Sequence, residues 1–475
     1  MTASLSLLAL CPQTPHNREG GGGAVRSFFV LSAVAQSHDL TLAVLDSGRE
    51  VPAPLASRCL AILTPELTSP LGSPQARRRS LWQRVAGTAC GDDQTLLTTA
   101  ERNCVSRAEG TSQEQRGVIR RLGHTLYAWS LLIAVELRVA LFGMRPARGS
   151  ERVAFYEAVV NQIEAAHRRH PFTHLWVEHS YLIPEALDLS RRLGSLPLIL
   201  DAHNVESVLH ARFGRLMTSI TARAWYRGQA RQLRRIEADG FRRADQVLCC
   251  SEADAHFIRE LAPDARIEVI PNGVDTDYMH LVGSEAAQPT LAFVGSFGYF
   301  PNVDAVTYFH AEILPLIWQE VPDCRFSIIG YGAERFAPLA DRDPRIQIAA
   351  NVPDIRPDLS QAWAVVVPLR TGSGTRLKIL DAMAMGKVVI STPIGAEGID
   401  LESQGAGVIA AEVSEFAAQT VRLLTDRQRR EVMGFRGRVL AEKVFSWRVV
   451  GAKLKELNPI LATRAKVSPT PWPAS

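Results

Sequence analysis

The chain is poor in cysteine, in net charge and in long uncharged apolar runs, and each shortage removes a class of protein. Seven cysteines in 475 residues, with no Cys-x-x-Cys and one adjacent pair, Cys249 and Cys250, suit neither a disulfide framework nor a zinc site. The stretch "QVLCC" (246–250) reads as a buried strand in which Cys is a small hydrophobe, as expected of a reducing compartment. A formal net charge of +4 is a small excess that does not argue for nucleic acid as a partner, and none is expected. One stretch, 122–143, is strongly apolar. Glu136 and Arg138 interrupt it short of the roughly 20 residues that a bilayer span needs. It reads as a buried helix; the alternative is an interfacial helix, because "ARRRS" (76–80), Arg120 and Arg121 suit anionic lipid. The N-terminus "MTASLSLLALCPQTP" is apolar but lacks a basic leader, so it reads as a first strand rather than a signal peptide. The expected location is the cytoplasm, with peripheral contact on the cytoplasmic face of the membrane if 122–143 is interfacial.

What is present is alternation. With 46% hydrophobic and 21% charged residues the composition is that of a globular protein, and the length calls for at least two domains. Apolar runs at 6–11 and 40–45 flank "GGGG" (20–23) and a helical pattern, a βαβ unit that implies a parallel sheet. From about 65 to 120 the pattern dissolves into polar, breaker-rich sequence, read as an insertion. Order returns with a helix from 151, strands at 174–180 and 197–204, an Arg-rich helix, and a strand at 244–251. The second half alternates more cleanly, with strands at 290–296, 325–330, 345–350, 364–369 and 387–392. The pattern predicts two doubly wound α/β domains, 1–282 and 286–443, joined at the "PNG" turn. A helical pattern closes the chain at 444–463, and a Pro- and Ser-rich tail (464–475) is read as disordered. Such sheets hold ligands outside the carboxyl ends of their strands.

The stretch "TGSGTRLKILDAMAMG" (371–386) places Arg376 and Lys378 in the first turn of a predicted helix. Cations there are unfavourable by about 0.3–1 kcal/mol each at an exposed site. Thr375 reads as the N-cap, Leu377, Leu380 and Ala384 as the buried face, and Gly386 as the stop. Gly372 and Gly374 admit an anion to the free N–H groups of the first turn, and Arg376 and Lys378 add charge-assisted hydrogen bonds. Asp381 is placed to accept two sugar hydroxyls, so phosphate and ribose together suggest a nucleotide. The alternative is a solvated basic face with an Asp381–Lys378 pair.

Four segments carry a resemblance: "FVGSFGYFPNVDAVTYF", "VPDIRPDLSQAWAVVVPLRTGSGTRLKILDAMAMGKVVISTPIGAEG", "ADQVLCCSEAD" and "PNGVD". They resemble glycosyltransferase family 4, retaining enzymes of the GT-B fold, in a branch with a GSGTRLKxL(E/D)A motif; the resemblance fails across roughly 65–150. It implies two Rossmann-like domains with the active site in the cleft between them, and a C-terminal helix (444–463) that crosses back to the first domain. It also implies a nucleotide-diphosphate sugar as donor, transfer with retention, no metal and no other cofactor. Arg376 and Lys378 would grip the diphosphate with Ser373, Gly374 and Thr375, and Asp381 the ribose. Gly295 and Ser296 would line the loop after the first strand of the second domain, and Val352 in "NVPDI" the base pocket. Gly22 and Gly23 would admit the phosphate and the transferred sugar to the N-terminal loop. His203 in "DAHNVES" matches a histidine that contacts the donor sugar, with capping of the strand exit as the alternative. Glu178 and His179 would face a glycan or lipid-linked acceptor.

The chain departs from the family pattern in two ways. The E-x7-E spacing carries Ser373 and Asp381 in place of two Glu residues. The loop "GSFGYFPN" also lacks the usual cations, which predicts that Arg376 and Lys378 supply the missing charge. "DTD" (275–277) and "DRD" (341–343) imitate a metal motif but suit turns. The leading expectation is a glycosyltransferase of polysaccharide or glycolipid synthesis at the cell envelope. The alternatives are a nucleotide-sugar epimerase, which needs a carboxylate or histidine cluster, and a binding protein that has lost turnover.

Overall fold

The computed structural model describes residues 4–17, 21–45, 50–65 and 150–463. The insertion from 66 onward, "ARRRS", the 122–143 run with Arg120 and Arg121, Gly20 and the tail lie outside these residues. The described residues divide into two units: those within 4–65, 159–205 and 237–463, and those within 150–158 and 206–236.

The first unit holds two parallel sheets. One comprises β1 (Ser6–Cys11), β2 (Asp39–Val44), β3 (Cys59–Leu63), β4 (His174–Glu178), β5 (Leu198–Ala202), β6 (Gln246–Cys249) and β7 (Ile267–Val269), in the order β3-β2-β1-β4-β5-β6-β7. The other comprises β8 (Thr290–Val294), β9 (Arg325–Gly330), β10 (Ile346–Ala350), β11 (Ala364–Val367), β12 (Val388–Ser391) and β13 (Gly407–Ile409), in the order β10-β9-β8-β11-β12-β13. Helices on both faces bury the central strands completely, so "HLWVE", "LILDA", "AVVV" and "VVIS" read as runs without alternation. In the second sheet's core Phe309 packs on Phe326, with ring centroids 4.9 Å apart, and on Phe416 at 6.1 Å. Each fully buried side chain of this size stabilises by about 1.5–3 kcal/mol.

Strand order reverses between β1 and β4 and again between β8 and β11. Ligand crevices in such sheets open at these switch points, outside the carboxyl ends. The candidate residues therefore gather at 22–23, 178–179 and 203 on one sheet, and at 295–302 and 370–381 on the other.

The chain passes between the sheets twice. Val274 N–H donates to Phe445 O at 2.7 Å, and Trp447, opening the helix Trp447–Thr463, stacks on Phe29 of the helix Gly21–Val34 at 4.6 Å. Gly273 is required beneath this ring, since a Cβ there would lie 2.5 Å from Trp447. Between β8 and β9 the helical segment 300–320 contains a π-helical turn, Phe309–Ile313. Pro315 causes it, lacking the N–H that would bond the carbonyl of residue 311.

In the second unit the Arg-rich helix predicted after β5 is broken at 217–219. The helices Glu206–Leu216 and Ile220–Arg243 result. Arg223 fastens the turn by donating to Met217 O from Nε and Nη2 at 3.1 and 2.9 Å. Tyr226 packs edge-on against Phe213 at 5.7 Å. Among the described residues no helix is long and apolar enough to cross a membrane.

Candidate active site

Parallel pairing sets Glu178 of β4 beside Asp201 of β5, two buried carboxylates that need partners. Arg26, the one cation among the apolar residues of the helix Gly21–Val34, supplies the first. Its Nη2 and Nε bond Asp201 Oδ1 and Oδ2 at 2.7 and 3.0 Å. Its Nη1 donates to Ile270 O at 2.8 Å and to Asn272 Oδ1 at 3.1 Å. His203, one residue past β5, supplies the second, with Nε2 2.6 Å from Glu178 Oε2. Ser27 Oγ and Trp176 Nε1 complete the Glu178 carboxylate at 2.6 and 2.7 Å.

The charges balance only if His203 is protonated. Burial alone would lower its pKa, but the Asp201 and Glu178 carboxylates override this and hold it up at about 8. Burial likewise opposes the charged form of Asp201, and Arg26 overrides it, holding that carboxyl well below the usual range. With Nε2 on Glu178, His203 Nδ1 is left without a hydrogen-bond partner among the described residues. It is a donor in the charged ring.

His179 completes the cluster. Its backbone has φ 72°, a conformation that costs a non-glycine residue about 1–3 kcal/mol and collects at functional sites. The ring lies 3.8 Å from that of His203 at 41°. Burial and the neighbouring His203 hold its pKa well below the usual value, so it is neutral. Neither ring nitrogen has a partner among the described residues. Gly23 approaches this ring so closely that a Cβ would sit 3.0 Å from Nε2. Gly22 and Gly23 are thus in the first turn of a helix, and not in the loop that "GGGG" predicts. Glu178 is also corrected: its side chain is fully buried and its oxygens are taken, so it holds His203 and does not face an acceptor.

Residues 372–374 lead from β11 into the helix Leu377–Ala384, whose N-cap is Arg376 and not Thr375. Thr375 Oγ1 donates instead to Cys250 O at 3.2 Å. Of the predicted inward face, Leu380 and Ala384 are buried while Leu377 is half-buried beneath Gly22; Gly386, at φ 68°, follows the helix end. Arg376 folds back, its Nη1 donating to the carbonyls of Ser373 and Gly374 and its Nη2 to Ile394 O at 3.3 Å. A Cβ at Gly372 would meet Nη2 at 2.5 Å, which is why glycine stands there.

Lys378 is half-buried over the Phe293 ring at 3.9 Å. Its Nζ donates to Asn302 Oδ1 at 2.6 Å, and Asn302 Nδ2 donates to Ser296 O at 2.8 Å. The cation-free loop after β8 therefore receives Lys378 through Asn302. Gly295 lies in the same corner, where a Cβ would meet Asn302 Nδ2 at 2.8 Å. Burial, with the nearby Arg376, pushes the Lys378 pKa well below its usual value. Burial pushes the Asp381 carboxyl up to about 7, partly offset by Lys378. Asp381 makes no ion pair with Lys378 within 4.0 Å among the described residues, so the solvated-pair alternative fails. Ser373, at the first E-x7-E position, accepts from Val205 N–H at 3.3 Å and donates to Asp254 Oδ1 at 3.4 Å. Val352 follows β10 two residues past its end and is half-buried.

The two sets meet. A Cβ at Gly374 would lie 2.7 Å from His203 O. Asn272, bonded to Arg26, donates from Nδ2 to Thr375 O at 3.3 Å. Glu178, Asp201 and His203 also bring three potential metal ligands within 4.8 Å of one another, but the Arg26 guanidinium on Asp201 opposes a cation there. The Asp-x-Asp motifs serve turns: Asp275 Oδ1 accepts from Tyr278 N–H, and Asp343 from Arg345. Sequence reasoning missed Arg26, Asp201, Asn272 and Asn302. A lone charge in an apolar helix or strand was the available signal for the first two.

Two parallel-sheet domains meeting at their carboxyl ends define the GT-B fold. Residues 117–278 match the family model "Glycosyltransferase Family 4", and 288–426 match "Glycosyl transferases group 1". By these two domains the chain belongs to the glycosyltransferases. Among solved structures it is similar to sucrose-phosphate synthase from Thermosynechococcus elongatus, at TM-score 0.65 and 14% identity over 96% of this chain and 99% of that one. It is also similar to Anabaena HepE in complex with UDP-glucose, at TM-score 0.59 and 11% identity over 96% and 100%. WaaG, a glycosyltransferase involved in lipopolysaccharide biosynthesis, aligns at TM-score 0.55 and 12% identity over 94% and 99%. The comparison with curated proteins gave no match.

Proposed function

We propose that the chain transfers a sugar, with retention, from a nucleotide-diphosphate sugar to a polysaccharide or lipid-linked acceptor in cell-envelope glycan synthesis. The observation that carries this is the close approach of the glycine loop before the helix Leu377–Ala384 to the residue that pairs with Glu178: a Cβ at Gly374 would lie 2.7 Å from His203 O. An anion site and a charged histidine thereby share one corner. HepE was solved with UDP-glucose and with UDP, and WaaG belongs to lipopolysaccharide synthesis; both support the substrate classes.

In this reading the diphosphate lies on the first-turn N–H groups and Lys378, while Asp381 accepts from the ribose hydroxyls. Arg376 holds the glycine loop in shape and its charge lies behind the phosphate. His203 Nδ1–H and the neutral His179 ring bind hydroxyls of the sugar. The bond from the anomeric carbon to the phosphate oxygen breaks as the bond to the acceptor oxygen forms, and the acceptor proton passes to the departing diphosphate. Neither Glu178 nor Asp201 is free to attack, so departure and arrival occur on one face of the sugar. Fixed cations and N–H groups supply the stabilisation that such leaving groups need, without a divalent ion. The test is release of nucleoside diphosphate from a panel of nucleotide sugars, with stereochemistry of the product read by NMR and chelator present. An inverted product, or turnover abolished by chelator, would contradict the mechanism.

One observation favours a second reading. Glu178, His179 and His203 form the cluster that an epimerase of this fold would need. Conversion of the nucleotide sugar without any acceptor would establish that reading in place of transfer.

A further inference from the structure

At the amino ends of β11 and β12, opposite the ends that carry the candidate donor site, lies a cavity of about 1040 Å³. Its floor holds two cations, Lys387 and Arg430, whose side chains are each only 4% exposed. They are fixed in place. Lys387 Nζ donates to Ser360 O at 2.7 Å. Arg430 stacks over Trp363 at 4.4 Å and donates from Nη1 to Leu423 O at 3.0 Å. One carboxylate faces both: Glu285 lies 3.4 Å from Lys387 Nζ and 3.6 Å from Arg430 Nη2. The other lining charges are paired, Arg427 with Glu431 at 2.7 Å and Arg438 with Glu442 at 2.6 Å. One buried positive charge is therefore in excess, and Arg430 Nε is buried without a hydrogen-bond partner among the described residues. Buried charges are expected to be paired.

The rim has the opposite character. Phe435 is 68% exposed and Leu281 50% exposed, and both line the cavity. A volume near 1,000 Å³ with apolar walls and a few convergent polar groups is typical of small-molecule sites. We infer that this cavity binds an amphiphilic anion, a phosphate-type head on Lys387 and Arg430 with its apolar body against Leu281 and Phe435. Glu285, exposed on the segment between the two sheets, competes with the head for the same cations.

The probe is octyl phosphate below its micellar concentration, titrated by calorimetry into the full chain saturated with nucleoside diphosphate. Inorganic phosphate and octanol serve as comparisons. Octyl phosphate is expected to bind tighter than either. Glu285→Gln is expected to tighten it about 10-fold by removing the competing charge, an effect opposite to that of damaging the structure. Phe435→Ser, at an exposed position, is expected to weaken octyl phosphate about 3–10-fold and leave inorganic phosphate unchanged. Failure of Glu285→Gln to tighten binding would overturn the assignment, as would octyl phosphate binding no better than octanol. Sedimentation with vesicles of equimolar phosphatidylcholine and phosphatidic acid, lost in Phe435→Ser, would identify the head as that of a lipid. Octyl phosphate binding without sedimentation would identify a soluble phosphate. Failure of the proposed transferase activity leaves these outcomes unaffected, because the cavity is separate from the donor site.

Discussion

The ends of the two sheets handle charge in opposite ways. At the first sheet, Arg26, Asp201, Glu178 and His203 form a closed network in which each carboxylate has its partners. At the second, two cations occupy the unfavourable end of a helix, Asp381 has no ion-pair partner among the described residues, and burial opposes the charges of Lys378 and Asp381. A closed network fixes geometry, whereas an open one stores electrostatic demand that a ligand can satisfy. The first set holds His203 in place, and the second is the one we propose receives a nucleotide.

The largest expected effect of breaking this contrast is on stability at the closed end. Arg26→Met leaves Asp201 buried without its partner and is expected to cost about 3–5 kcal/mol in urea unfolding. Arg26→Met/Asp201→Leu should recover most of it. Equal instability of the double variant would mean that the guanidinium matters for packing and not for charge.

Next comes the open end. Lys378→Ala is expected to weaken nucleoside diphosphate binding roughly 10–100-fold while unfolding behaviour is retained. A diphosphate should also draw Lys378 toward its charged form. Calorimetry in buffers of different ionisation enthalpy is then expected to detect proton uptake on binding, reduced in Lys378→Ala.

A smaller effect follows from His203. Its folded pKa of about 8 lies above the ordinary 6.5. The stabilisation is therefore complete below pH 6.5 and lost as pH rises through 8, amounting to about 2 kcal/mol. His203→Asn is expected to flatten that decline in unfolding free energy between these limits; an unchanged decline would mean that His203 is neutral in the fold. The smallest effect sharpens the contrast by its sign. Asp381→Asn removes a carboxylate whose ionisation burial opposes, so it is expected to raise the Tm of the free protein above pH 7 while weakening nucleotide binding.

Both sheets were legible in the sequence because parallel strands buried on two faces read as apolar runs, and β1 matches its predicted span, 6–11. The strands β3, β7 and β13 were not legible. The first alternates half-buried and exposed residues at the sheet edge, and the others are three residues long. The open half of the site was legible because misplaced cations after glycines are a local anomaly. The closed half depends on pairing between Arg26 and Asp201, 175 positions apart, which no local pattern reports. "GGGG" looked like a loop because glycine is a poor helix former. Its role in the helix is set by Leu377 and His179, whose side chains stand where Cβ atoms at Gly22 and Gly23 would crowd them. Thr375 looked like a cap by residue type, but Cys250 O takes its hydroxyl.

The most direct measurement is calorimetric titration of uridine, guanosine, adenosine and thymidine diphosphates into the wild type, Lys378→Ala and the exposed-site variant Arg427→Ala. Selective binding of one base, lost in Lys378→Ala and kept in Arg427→Ala, is the expected result and places the diphosphate at the start of the helix Leu377–Ala384. Binding of equal strength in all three proteins would contradict the diphosphate role of Lys378.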